Sequence, residues 1–144
     1  LRSMREEIAP ASGGIGSLDK DKQREDIMLF LEYPKCSTCR KAKAWLDAHQ
    51  IDYIERHIAE ENPSAAELVA WHRASGLPLK KFFNTSGMLY KELNLKDRLP
   101  DMSEAEQYEL LASNGMLVKR PLLIDGEKIL VGFKETEWEA ALDV

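Results

Sequence analysis

Apolar positions first gather in the run Met28-Leu29-Phe30-Leu31-Glu32-Tyr33, a buried-strand pattern. A helical stretch follows over about Cys36–His49, and a second strand over about Asp52–Ile58, where Tyr53, Ile54 and Ile58 supply strand formers. This is a βαβ unit. Next comes Asn62-Pro63-Ser64-Ala65-Ala66-Glu67, whose Ser64 and Glu67 have capping-box spacing, and a helix that Gly76 stops after Ser75. A short helix is expected over Ser86–Leu93, broken at Asn94-Leu95. Ser103-Glu104-Ala105-Glu106 opens another helix, which runs to about Ser113; Asn114-Gly115 should end it, with the glycine in the left-handed conformation. Leu122-Leu123-Ile124, Asp125-Gly126 and Lys128-Ile129-Leu130-Val131 read as a hairpin, and Glu135–Leu142 as a closing amphipathic helix around Trp138.

The order β-α-β, helices, β-β-α predicts an α/β protein. Its expected centre is a four-stranded mixed sheet of thioredoxin-like architecture, with residues of about 62–116 as an inserted helical subdomain. Leu1–Ile27 differs: Gly13-Gly14-Ile15-Gly16-Ser17 and the charged string Asp19–Asp26 show no sustained period. That stretch reads as a flexible extension, or as a segment upstream of a natural start at Met28, ahead of one domain over 28–144.

Composition narrows the class. The 144 residues are 44% hydrophobic and 31% charged, enough for one compact soluble domain. A net charge of −5 gives no basic footprint for direct nucleic-acid binding, and no apolar run approaches the ~20 residues of a membrane span.

The only two cysteines stand in Cys36-Ser37-Thr38-Cys39, where the first strand gives way to the helix. Two intervening residues at a helix start let the sulfurs meet as a disulfide. The unpaired amides and positive dipole end of the helix favour thiolate at the first cysteine, as would Arg40, Lys41 and Lys43 if they face it. On this reading Cys36 attacks and Cys39 resolves. A zinc half-site would need two further ligands, yet His49, His57 and His72 lack metal-ligand spacing, so no metal is expected. Inert buried cysteines fit poorly beside Ser, Thr, Arg and Lys, and a structural disulfide closing so short a loop would remove little chain entropy. Two redox-spaced cysteines without a wider disulfide framework suit a reducing cytoplasm.

Three blocks, Tyr33-Pro34-Lys35-Cys36-Ser37-Thr38-Cys39-Arg40-Lys41-Ala42, Leu117-Val118-Lys119-Arg120-Pro121-Leu122-Leu123-Ile124-Asp125 and Val131-Gly132-Phe133, together resemble the arsenate reductase/Spx (ArsC-like) family over about Met28–Leu142. The resemblance implies that Cys36 is the reactive cysteine, Cys39 the second cysteine of CxxC members, and Arg120 the arginine preceding a cis proline, Pro121. Arg120 would then stabilise thiolate charge or bind an oxyanion, with Ser37, Thr38, Arg40 and Pro121 lining the oxyanion site. Gly132 reads as a residue of close backbone packing or a bulge. One departure touches substrate: Phe82–Tyr90 carries no arginine where arsenate reductases would be expected to have one, which weakens arsenate as the substrate.

Three functions fit these residues. The first is a thiol–disulfide oxidoreductase acting on a small oxyanion or disulfide, without a bound cofactor and with glutathione, glutaredoxin or thioredoxin as external reductant or partner. The second is an Spx-like redox-sensing transcriptional regulator that binds RNA polymerase. The third is an interaction module whose cysteines stay reduced and idle.

Overall fold

A computed structural model describes residues 27–144, so the expectation of a flexible extension falls almost wholly outside the described residues. Strands β1 (Met28–Glu32) and β2 (Tyr53–His57) flank helix α1 (Ser37–Ala48). Helices α2 (Ala65–Ser75), α3 (Met88–Glu92), α4 (Leu95–Arg98) and α5 (Glu104–Ser113) follow. Strands β3 (Leu122–Asp125) and β4 (Lys128–Val131) and helix α6 (Glu135–Leu142) complete the chain. The sheet has the order β2-β1-β3-β4, with β1 parallel to β2 and antiparallel to β3, and β3 antiparallel to β4. This is the expected thioredoxin-like mixed sheet.

Alternation along the strands divides the core in two. Phe30 and Leu123 face α1 and α6, where they pack with Ala42, Trp45, Leu46 and Trp138. Leu31, Leu122 and Ile129 face the other way, onto Leu68, Trp71, Phe82, Phe83, Leu111 and Leu117. The helical segment between β2 and β3 therefore covers one face of the sheet and shares its core.

Local chemistry explains the helix ends. Ser64 with Glu67, and Ser103 with Glu106, form complete capping boxes at α2 and α5. Gly76 closes α2 at φ 69°, and Asn94 separates α3 from α4 at φ 55°. The hairpin turn has positive φ at Gly126.

Gly115 departs from expectation. Asn114 ends α5 in an extended conformation, φ −159°, and its side chain accepts from the Met116 amide at 2.9 Å, starting a 3-10 turn over Gly115–Leu117. The glycine is absent from the positive-φ positions, so left-handed freedom is not its reason. A Cβ there would drive into the carbonyl of Ile58, and close approach is what requires glycine. From this turn the chain runs past Phe82–Asn84, held by Asn84 N–H to Leu117 O at 2.7 Å and Lys119 N–H to Phe82 O at 2.8 Å. Those bonds deliver Lys119 and Arg120 to the start of β3.

Candidate active site

The chain leaves β1 through a tight turn in which the Cys36 amide donates to Tyr33 O at 3.0 Å. Cys36 thereby becomes the N-cap of α1, with extended dihedrals of φ −89° and ψ 120°. Its sulfur takes the place of a capping oxygen and accepts from the Cys39 amide at 3.4 Å. Half-burial by itself would push this thiol up. That effect is outweighed by the Cys39 amide, the Cys39 thiol, the positive charge of Arg120 and the Thr38 amide, so the net direction is down.

Cys39 lies three residues on, on the inner face of the helix with Ala42, Trp45 and Leu46, and is fully buried. Its sulfur accepts from the Tyr33 amide at 3.5 Å. Burial dominates here: the thiol is pushed up to about 12, against the Tyr33 amide and with the help of Cys36 and Glu32. The two sulfurs are free thiols with opposite tendencies inside one turn.

Arg120 comes from the segment just before β3, the strand paired with β1. Its peptide bond to Pro121 is cis, as the resemblance implies. The guanidinium lies over the Tyr33 ring, 5.2 Å from the centroid, and Nη1 donates to Met116 O at 3.3 Å. Nε is buried without a hydrogen-bond partner among the described residues. Tyr33 is itself braced edge-on by His57, with centroids 5.6 Å apart. The Pro121 carbonyl accepts from Gly132 N–H at 2.8 Å, and the Gly132 carbonyl accepts from Trp138 Nε1 at 3.1 Å. With Gly132 at φ 76°, this serves backbone packing.

Cys36, Cys39 and Arg120 thus converge, while the other expected site residues divide. Thr38 contributes its amide, Ser37 and Thr38 have exposed side chains, and Pro121 contributes backbone. Arg40 is exposed on the first turn of α1, and the charge acting on Cys36 is that of Arg120. Lys43 is engaged with Glu55 at 2.8 and 2.9 Å. The sequence reading missed Tyr33 as the platform beneath Arg120, Met116 as its anchor, and Glu32, a buried carboxyl closing an otherwise apolar strand. Glu32 carried a signal, being the one charge in Met-Leu-Phe-Leu-Glu.

A groove of about 620 Å³ opens beside Lys119, floored by Phe83 and Val131 and edged by Lys80, Lys81 and Lys134. The histidines lie apart and are engaged elsewhere: His49 with Trp45 O, His57 with the Ala59 and Glu60 amides, His72 with Tyr108. Among the described residues no three His, Cys, Asp or Glu side chains gather as a metal site. No helix among them is long and apolar enough to cross a membrane.

A sequence model of the ArsC family matches residues 31–141, so the chain belongs to the ArsC family. It is 63% identical over 112 residues to "Uncharacterized protein YusI" of Bacillus subtilis, covering 78% of this chain and 95% of that one. It is 33% identical over 111 residues to "Global transcriptional regulator Spx 2" of Bacillus cereus, covering 77% and 83%. Among solved structures, a "possible arsenate reductase" from Streptococcus mutans superposes with a TM-score of 0.72 at 48% identity, covering 79% of this chain and 98% of that one.

Proposed function

We propose that this ArsC-family chain is a thiol–disulfide oxidoreductase that cycles between a Cys36/Cys39 dithiol and an internal disulfide. The observation that carries this reading is the asymmetry of the pair: Cys36 is held low by helix amides and Arg120, while burial holds Cys39 high. A nucleophile must be ionised before it meets substrate, whereas a resolving thiol does better to stay protonated until the first bond has formed.

The cycle follows from that order. Cys36 thiolate attacks one sulfur of a disulfide substrate, forming a Cys36–substrate disulfide and expelling the other half as a thiolate. Cys39 then loses its proton and attacks the Cys36 sulfur; the internal disulfide forms and the second half departs. The substrate is reduced by two electrons and the dithiol is oxidised by two. An external thiol reductant, glutathione or a thioredoxin-type dithiol, restores the pair, a cycle suited to the reducing cytoplasm. Arg120 serves as counter-ion to the attacking sulfur. The groove beside Lys119, edged by Lys80 and Lys81 and by Lys134 paired with Glu137, carries net positive charge and favours substrates with anionic groups.

Cys36→Ser should abolish reaction with disulfide or oxyanion substrates, and Cys39→Ser should trap a mixed adduct visible by mass. Unchanged turnover in both variants would reject the assignment.

A second reading has its own support in the 33% identity to the Spx 2 regulator. In it the same dithiol switches a protein-binding surface, with RNA polymerase as partner. Redox-dependent capture of purified polymerase would favour it, and absence of capture in both redox states would remove it.

A further inference from the structure

Glu32 is a buried charged side chain, 6% exposed, at the C-terminal end of β1. Phe30 and Glu32 alternate onto the sheet face covered by α1, where Phe30 packs against Ala42 and Trp45. The parallel register pairs Phe30 with Glu55 and Glu32 with His57, so both β2 side chains share that face. On α1, Cys39 and Lys43 follow each other at a spacing of four, one above the other. The residue after Glu32 donates its amide to the Cys39 sulfur at 3.5 Å. Lys43 grips both carboxylate oxygens of Glu55 at the rim, where the two side chains are 41% and 38% exposed. Glu32 therefore acts on the buried Cys39 thiol on one side and, on the same sheet face, on Glu55 at the exposed rim on the other.

Resting on the dithiol cycle proposed above, we infer that Glu32 accepts the proton of the Cys39 thiol in the resolving step and that Glu55 passes it to solvent. Burial, the largest cause of the raised Cys39 thiol, persists in the mixed disulfide and keeps the thiol protonated at neutral pH, so it needs a base. Resolution also frees the thiol to use one. In the dithiol Cys39 donates to Cys36 and lowers it; once Cys36 is bonded to substrate that acceptor charge is gone. Burial and the neighbouring Glu55 push the Glu32 carboxyl up from its ordinary range, which brings it closer to the proton it must take and later release. Lys43 and His57 act in the opposite direction, and β3 presents only Leu122 and Leu123 opposite this end of β1. A buried carboxylate costs stability, so an apolar residue or glutamine would serve packing better.

The step balances. The Cys39 proton goes to the Glu32 carboxylate, the Cys39 sulfur bonds to the Cys36 sulfur, and the Cys36–substrate bond breaks with its electron pair leaving on the substrate thiolate. Glu32 then hands the proton through Glu55 to water.

Stopped-flow reaction of the reduced protein with dithiobis-nitrobenzoate separates the two halves, because each releases one coloured thiolate. Glu32→Gln should leave the first release within twofold of the parent and slow the second by roughly 10²-fold, the scale of lost general-base catalysis. A mass corresponding to the trapped Cys36 adduct should accumulate. The second step of the parent should level off with rising pH, whereas that of Glu32→Gln should keep climbing toward the ionisation of the thiol itself, and Glu32→Asp should recover part of the rate. A second release within twofold of the parent in Glu32→Gln would overturn the relay alone. A parent that never gives a second release would overturn the dithiol cycle and the relay with it.

Discussion

Cys36 occupies a position where helices usually place serine, threonine or aspartate, and its sulfur performs the same service to the Cys39 amide. The capping bond is why the first cysteine favours thiolate, and Arg120 adds a charge from a residue 84 positions away in the chain. Arg120→Ala should therefore raise the alkylation midpoint of Cys36 and slow its reaction with iodoacetamide at neutral pH by roughly threefold or more, because removing a nearby positive charge disfavours the anion. The far-UV spectrum should stay as in the parent. At this scale the sequence was informative about the thiols, since CxxC after an apolar run states its own geometry. Arg120 was legible only through family resemblance, and its seat on Tyr33 and Met116 not at all, because those contacts arise from tertiary packing.

Among the elements, sequence and structure agree best where a backbone need has a specific side-chain answer. Both capping boxes and Gly76 are such cases. Glu67 does double duty in α2: it accepts from the Ser64 amide at 3.0 Å and binds both Nη atoms of Arg56, at 2.8 and 2.9 Å. The bond from Arg56 is the main reason its carboxyl titrates below the ordinary range. A lowered folded-state value means that the stabilisation is fully present above the ordinary carboxyl range and fades as pH falls through the lowered value. Glu67→Gln should cost about 0.5–1 kcal/mol at neutral pH, a modest figure because the pair is partly exposed and screened. The gap between variant and parent, measured by urea unfolding, should close on acidification. Gly115 was misread for an equally physical reason. Asn-Gly after a helix is a common stop signal, but the close passage of the Ile58 carbonyl lies 57 residues away in sequence and leaves no local trace. The 3-10 turns over Leu79–Phe82, Leu99–Asp101 and Gly115–Leu117 are likewise too short to impose a period.

Across the whole molecule, the directions within the two strand pairs followed from the pattern βαβ then ββα, since a crossover helix makes the first pair parallel and a tight turn makes the last pair antiparallel, whereas the β1–β3 pairing that joins them left no local trace. How the intervening helices dock was not legible: they form one wall of the core, with Leu31 and Leu122 packed against Phe82, Phe83 and Leu117. The opposite wall depends on Trp138, which is 1% exposed, sits edge-on to Phe30, Trp45 and Phe133, and ties Gly132 to α6. Trp138→Ala should cost about 3–5 kcal/mol, read as a lower urea midpoint with unchanged slope. The central feature of the molecule is a pair of thiols in one turn driven apart in acidity. Its most direct test is alkylation of the reduced protein across pH, with each cysteine followed separately by mass. The predicted result is Cys36 modified with a midpoint below that of an ordinary thiol while Cys39 stays protected until far more alkaline pH. Both cysteines titrating together at the ordinary thiol value, or Cys39 reacting first, would contradict it.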